Sequence, residues 1–101
     1  MTKSDTFDKA WQEKCRKAQE LGIAMKRTLD SIESFGGVET ARRVFARRRN
    51  SDGFGALAKI GRLDLSLEAL VQEPAYGGLF TDEEANFALE SLLDAGYYKL
   101  G

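Results

Sequence analysis

The pattern of hydrophobic and polar positions in the first third of the chain predicts one long amphipathic helix over residues 5–34. Apolar or small residues recur there at alternating steps of four and three positions, and most positions between them are charged. This is the heptad spacing of a helical seam. Either the rest of the chain or a second copy of it has to cover such a seam, so the seam is also a candidate dimer interface. Its members are Trp11, Cys15, Ala18, Gly22, Met25, Leu29 and Ile32.

Gly22 leaves the continuity of this helix open. A glycine inside a helix costs ~1 kcal/mol relative to alanine, and the Leu21-Gly22 pair could equally end one helix before a second begins. The spacing of the seam passes through Gly22 without a slip, and a seam glycine also permits close approach of another backbone. We therefore predict a continuous helix.

Residues 35–96 predict four shorter helices. The first of them covers Val38–Arg49, and two short helices follow, each ended by a glycine or a proline. The last has the clearest start, because Thr81 and Glu84 are spaced as a capping box. The sequence thus predicts an all-α fold, in which the long helix packs on a compact bundle of four shorter helices. We expect a single domain over residues 1–101.

The composition excludes several classes of protein. No run of ~18 apolar residues is present to span a membrane, and the N-terminal sequence lacks the apolar segment of a signal peptide. A cytoplasmic location is therefore expected. The chain has one cysteine and no histidine, so the usual combinations of residues for zinc sites and general-base catalysis are missing.

Charge is divided unevenly along the chain. Residues 1–63 carry fourteen Lys and Arg against eight acids, a net +6, whereas residues 64–101 carry one Lys against eight acids, a net −7. Five arginines fall within eight residues and form the strongest functional signal. Guanidinium groups favour phosphates and carboxylates, so this basic helix predicts binding to nucleic acid or to an acidic protein, or else pairing with the acidic half. The five are Arg42, Arg43, Arg47, Arg48 and Arg49.

The acidic half offers a second candidate binding surface. Carboxylates displayed on helices can imitate the phosphates of a nucleic acid and so occupy a basic groove of another protein. Acids at positions 82–84 are already explained by the capping box and the helix dipole. The candidate residues of the acidic face are Glu68, Glu73, Glu83, Glu90 and Asp94.

No group of residues predicts catalysis. The carboxylates at 82–84 have no neighbour in the sequence that would raise one pKa selectively or supply a nucleophile. Cys15 lies on the seam and is predicted to be a small core residue. We therefore expect no catalytic residue, no cofactor, no metal ligand and no small-molecule substrate.

Residues 53–97 resemble a short helical module of uncharacterised bacterial and mobile-element proteins. The resemblance is carried by a Gly-Arg-Leu-Asp-Leu-Ser run, a Leu-Glu-Ala-Leu-Val helix, a proline turn, a Leu-Phe-Thr-x-Glu-Glu segment and a closing Gly-Tyr. It implies helical structure and a bacterial or phage origin, with no assigned activity. The long charged N-terminal helix is also similar in style to small phage inhibitors of host defence, including anti-CRISPR proteins.

The leading hypothesis is a non-enzymatic protein-interaction module, a phage or mobile-element inhibitor of a host defence complex acting through charged helical surfaces. One alternative is a nucleic-acid-binding protein that uses the Arg42–Arg49 helix. Another is a structural homodimer formed along the seam.

Overall fold

The computed structural model describes residues 2–97, and this part of the chain contains six α-helices, two turns of 3₁₀ helix and no β-strand. The predicted all-α class is confirmed. None of the described helices has the length and apolar character needed to cross a membrane. The α-helices are α1 (Lys3–Glu20), α2 (Lys26–Phe35), α3 (Gly37–Ala46), α4 (Phe54–Lys59), α5 (Leu67–Val71) and α6 (Asp82–Asp94). The 3₁₀ turns are Leu63–Leu65 and Pro74–Tyr76.

The first helix ends at Glu20, so the prediction of one continuous helix over residues 5–34 is wrong. Gly22 has a φ of +89°, in the left-handed region that glycine adopts without a steric penalty. The amides of Gly22 and Ile23 each donate to a carbonyl oxygen in the last turn of α1 at 3.0 Å. These two hydrogen bonds form the Schellman motif that closes a helix. The seam spacing continues past the break because α1 and α2 turn their apolar sides toward one core.

Two capping boxes fix helix starts. At α6, the Thr81 hydroxyl accepts from the Glu84 amide at 3.1 Å, and the Glu84 carboxylate accepts from the Thr81 amide at 2.8 Å. This confirms the predicted box. A second box, formed by Thr2 and Asp5, starts α1 at Lys3, earlier than the sequence indicated. Both boxes satisfy backbone amides that the first turn of a helix leaves without partners.

The seam is covered by the chain itself. Gly22 is exposed and Leu29 is partly exposed, whereas the other five seam residues are buried. The packing of α1 and α2 against the later helices therefore buries most of this apolar surface. A homodimer would need a different surface. The buried members of the seam are Trp11, Cys15, Ala18, Met25 and Ile32.

A chain of aromatic contacts joins the N-terminal helix to α3 and α6. The Phe7 ring lies 5.3 Å from the ring centroids of both Tyr76 and Phe80. Phe45 continues the chain, at 5.9 Å from Phe80 and 6.3 Å from Phe87. All four contacts are edge-on, the arrangement that the charge distribution of aromatic rings favours. These contacts pack α3 against the N-terminal helix and α6.

Candidate functional site

The predicted arginine cluster does not form one basic helix face. Helix α3 ends at Ala46, and the five arginines border two different cavities. Arg42 donates from Nη2 to the Leu79 carbonyl oxygen at 2.9 Å, and Arg48 donates from Nη2 to Glu83 Oε1 at 2.9 Å. Both side chains therefore point toward the start of α6.

The other three arginines of the cluster border a cavity of about 350 Å³ between α2 and α3. Arg43 reaches it from α3, whereas Arg47 and Arg49 lie just beyond the end of that helix. Arg27 of α2 lines the same cavity from the opposite wall. We call this cavity the basic groove and define it by Arg27, Arg43, Arg47 and Arg49. No sequence pattern pointed to Arg27, since only the fold brings α2 beside α3.

The basic groove carries an excess of positive charge. Four guanidinium groups and the Asp52 carboxylate line it, which gives a net charge of +3. Asp52 accepts a hydrogen bond from the Thr28 hydroxyl at 3.2 Å. The side chains of Arg27, Arg47 and Arg49 form no hydrogen bond or ion pair with any residue between positions 2 and 97. These three guanidinium groups are therefore available to an anion.

Arg43 is held in place by two neighbours. Its guanidinium carbon lies 4.1 Å from the centroid of the Phe35 ring, a cation–π contact. Its Nε also approaches Glu39 Oε1 at 3.5 Å. Both side chains of that ion pair are half exposed, so the pair contributes little and competes weakly with a ligand.

Thr40 carries a buried hydroxyl without a partner. The residue lines the cavity and is 7 % exposed, and its Oγ1 has no hydrogen-bond partner within the described part of the chain. A threonine inside a helix commonly bonds back to the carbonyl one turn earlier, but this one does not. Leaving a buried hydroxyl without a partner is unfavourable. The oxygen of Thr40 is almost completely enclosed by protein atoms, so it offers no donor to a ligand in the groove.

Glu68 does not belong to an acidic surface, and that prediction is wrong. Its side chain is fully buried, and its carboxylate accepts hydrogen bonds from the amide and hydroxyl of Ser51. Ser51 itself lines the basic groove. Burial raises the pKa of Glu68, and the Ser51 hydrogen bonds act in the opposite direction. Glu68 therefore holds Ser51, a residue of the groove lining, from inside the protein.

The remaining predicted acids are exposed. Glu83, Glu90 and Asp94 are spaced seven and four residues apart on α6 and share one stripe of that helix. Glu83 already pairs with Arg48, and both side chains are largely exposed. Glu73 lies apart from this stripe, between α5 and the 3₁₀ turn that follows it. The acidic residues form a stripe on α6 rather than a concave site.

Cys15 lies in the core of the protein. Burial raises the pKa of its thiol to about 12, so the thiol stays protonated at neutral pH and is a poor nucleophile. Among residues 2–97, no three Cys, Asp or Glu side chains come close enough together to hold a metal ion.

Comparisons of the chain with protein-family profiles, with curated proteins and with solved structures gave no match. The resemblance of residues 53–97 to a bacterial module stays a prediction. The functional inference therefore depends on the basic groove.

Proposed function

We propose that the protein is a non-enzymatic binding module whose basic groove holds an acidic segment of a partner protein. The observation that carries this proposal is the groove's net charge of +3, with three arginines that have no partner in the part of the chain described. Such guanidinium groups form paired, charge-assisted hydrogen bonds with carboxylates. We further propose that the protein is a phage or mobile-element inhibitor that binds a host defence complex.

The division of the arginine cluster favours a protein over a nucleic acid. Duplex binding depends on a row of cations that follows the phosphate backbone. Arg42 and Arg48 do not continue such a row in this structure, because their hydrogen bonds turn them toward α6. The remaining arginines surround a concave site that suits a short acidic segment. The overall pI of about 5.5 also lies below the basic range typical of nucleic-acid-binding domains.

The experiment compares two labelled polyanions by fluorescence anisotropy: poly-L-glutamate and a random-sequence DNA duplex. We expect poly-L-glutamate to bind and the double variant Arg43→Ala/Arg47→Ala to weaken that binding by about tenfold or more. The matched control is Lys17→Ala/Lys59→Ala. It removes the same charge from two exposed positions outside the groove, and it should change the affinity by less than about twofold.

Three results would contradict the proposal. Tighter binding of the duplex, lost in the same double variant, would establish the nucleic-acid alternative. An equal loss in the lysine control would show that net charge acts without the groove. A dimer mass in light scattering, combined with no binding of either polyanion, would favour a structural homodimer formed through a surface other than the seam.

The proposed setting has its own test. Expression of the chain in a bacterium with active CRISPR immunity should restore plaque formation by a targeted phage, and Arg43→Ala/Arg47→Ala should abolish that effect. Unchanged immunity would remove the inhibitor setting and leave the binding proposal standing.

A further inference from the structure

We infer that the basic groove binds the C-terminal end of α6 from a second copy of this chain, so that copies associate head to tail. The contact pairs Arg43 and Arg47 of one copy with Glu90 and Asp94 of the next. The inference rests on the proposed ability of the groove to hold an acidic segment, and it names one such segment. It also assigns a role to a surface of α6 that the proposed function does not use.

The C-terminal end of α6 carries acids that no described residue compensates. Asp94 is the last residue of the helix, Glu90 lies one turn before it, and both are exposed. Carboxylates near the negative C-terminal end of a helix are unfavourable, and α6 contains no Lys or Arg. Neither side chain forms a hydrogen bond or ion pair with a residue between positions 2 and 97. Cations from another molecule therefore remove an electrostatic cost that the chain itself leaves in place.

Helix α6 differs in charge from the other described helices. Exposed acids on α1, α2 and α3 share their helices with Lys or Arg, which reduces the negative charge that those helices offer a partner. The one acid of α5 is the buried Glu68. Helix α6 carries five acids and no base. It is therefore the helix of this chain whose charge best complements the basic groove.

The spacing of the two acids matches that of two groove arginines. Glu90 and Asp94 are four residues apart on α6, which makes them neighbours on one side of that helix. Arg43 and Arg47 are also four residues apart, and the backbone of Arg47 keeps helical dihedral angles just beyond the end of α3. Both arginines line the groove, so they too lie on one side. Each carboxylate can thus meet one guanidinium group when α6 of one copy lies along α3 of another.

Exposed apolar side chains lie beside both charged pairs. Phe35, in contact with Arg43, is 50 % exposed. Leu93 lies three residues after Glu90, on the same side of α6 as the acids, and is 42 % exposed. Interfaces between proteins combine apolar contacts at their centre with polar residues at the rim. Packing of Leu93 against Phe35 therefore adds a hydrophobic contribution to the ion pairs.

The groove and the end of α6 are different surfaces of one molecule. No ion pair joins the two arginines to the two acids within the described part of the chain, so each copy presents both surfaces to other copies. Such a contact is heterologous and extends into open chains or closed rings. Exposed ion pairs and small apolar contacts are individually weak, so we expect association at protein concentrations of about 0.1 mM.

Sedimentation velocity of the full chain over a range of concentrations tests the inference. At low ionic strength we expect the mean mass to rise as the concentration is raised to about 0.5 mM. In about 0.5 M salt the protein should remain a monomer at the same concentrations, because salt screens exposed ion pairs.

Two double variants each disable one of the surfaces. Arg43→Ala/Arg47→Ala removes charge from the groove. Glu90→Gln/Asp94→Asn removes charge from the end of α6 and keeps the shape of both side chains. Each variant alone should associate at least about tenfold more weakly than wild type. A mixture of the two should form one-to-one complexes, since each variant retains the surface that the other lacks.

Glu13→Gln/Glu20→Gln is the matched control. It removes two exposed acids from α1 and gives the chain the same net charge as the α6 variant. It should associate as wild type does, within about twofold. An equal loss in this control and in the α6 variant would overturn the inference. A wild-type chain that stays monomeric at low ionic strength, or a mixture of the two variants that stays monomeric, would do the same.

Binding of poly-L-glutamate separates this inference from the proposed function. The α6 variant keeps the groove intact and should bind poly-L-glutamate at least as tightly as wild type does. Groove-dependent binding of poly-L-glutamate by a chain that does not self-associate would remove the inference and leave the proposed function standing. Self-association that requires both surfaces, without binding of poly-L-glutamate, would support the inference and contradict the broader proposal.

Discussion

The buried Glu68 carboxylate accepts two hydrogen bonds from Ser51, at 2.8 Å from the amide and at 2.6 Å from the hydroxyl. The contact joins α5 to the loop after α3. No Lys or Arg among the described residues forms an ion pair with Glu68, so hydrogen bonds alone compensate for the loss of water around it. Because Ser51 lines the basic groove, this buried contact also fixes part of the candidate site.

Ser51→Ala should destabilise the protein by about 1.5–3 kcal/mol, because it removes a hydrogen bond to a buried charged group. Urea unfolding at pH 7, followed by circular dichroism, measures the loss. Ser34→Ala removes a hydroxyl from an exposed position on α2 and should change the free energy of unfolding by less than about 0.5 kcal/mol. Equal losses in the two variants would show that the Ser51 hydrogen bond to Glu68 contributes no more stability than an exposed serine hydroxyl.

The raised pKa of Glu68 predicts how the stability of the protein changes with pH. A carboxyl whose pKa is higher in the folded state than in the unfolded state binds its proton more tightly when folded. Its contribution to stability therefore falls as pH rises from the unfolded value of 4.5 through the folded pKa. Glu68→Gln removes this titration, so wild type should gain stability relative to the variant as pH is lowered from 7 toward 5.

Measuring both proteins by urea unfolding at several pH values between 5 and 7 separates this effect from the other carboxyls. Asp64 has a lowered pKa, mainly because Arg62 donates to it, and its stabilising contribution is lost only as pH falls below its ordinary value of 3.8. A stability difference between wild type and Glu68→Gln that does not vary with pH would show that Glu68 titrates normally.

Local sequence signals predicted the parts of the fold that local interactions determine. The Thr81–Glu84 capping box needs only four consecutive residues, and the structure contains it. The break at Gly22 was harder to predict, because a Schellman motif and a heptad seam are both compatible with the same apolar spacing. Whether the chain forms one helix or two then depends on whether the second segment packs back on the first.

The candidate site depended more strongly on tertiary contacts. Arg27 stands alone in the sequence and joins the other arginines only because α2 lies beside α3. Glu68 lies in a five-residue helix whose other large side chains are buried on several sides, so periodicity gives no indication of which face is exposed. A charged residue at such a position looks like a surface residue until its hydrogen-bond partner is known.

Gly37 is expected to tolerate no side chain. Its amide donates to Asp8 Oδ1 at 2.7 Å, and α1 lies so close that an added Cβ would overlap this carboxylate oxygen. The same Cβ would come within 3.1 Å of the Phe7 ring. Gly37→Ala should therefore destabilise the protein by about 1–3 kcal/mol in urea unfolding, although alanine is the better helix former.

Gly55→Ala is the matched control for that variant. Gly55 lies in α4, and a Cβ there would meet no atom within 4 Å. Helix propensity then acts alone, and this variant should be more stable than wild type by roughly 0.5–1 kcal/mol. We therefore predict that Gly37→Ala lowers the free energy of unfolding and that Gly55→Ala raises it. A neutral or stabilising Gly37→Ala would mean that α1 and α3 are farther apart.

Arg48 follows the end of α3 in the left-handed conformation, with a φ of +55°. This conformation costs a non-glycine residue roughly 1–2 kcal/mol, whereas glycine adopts it freely but loses about 0.5–1 kcal/mol more in chain entropy. Arg48→Ala keeps the steric cost and removes only an ion pair whose two side chains are 70 % and 77 % exposed, which contributes little. Arg48→Gly should therefore be more stable than Arg48→Ala by about 1 kcal/mol in urea unfolding. Both variants should bind poly-L-glutamate as wild type does, because Arg48 faces α6 and not the groove. Equal stability of the glycine and alanine variants would show that the chain leaves α3 without this left-handed turn.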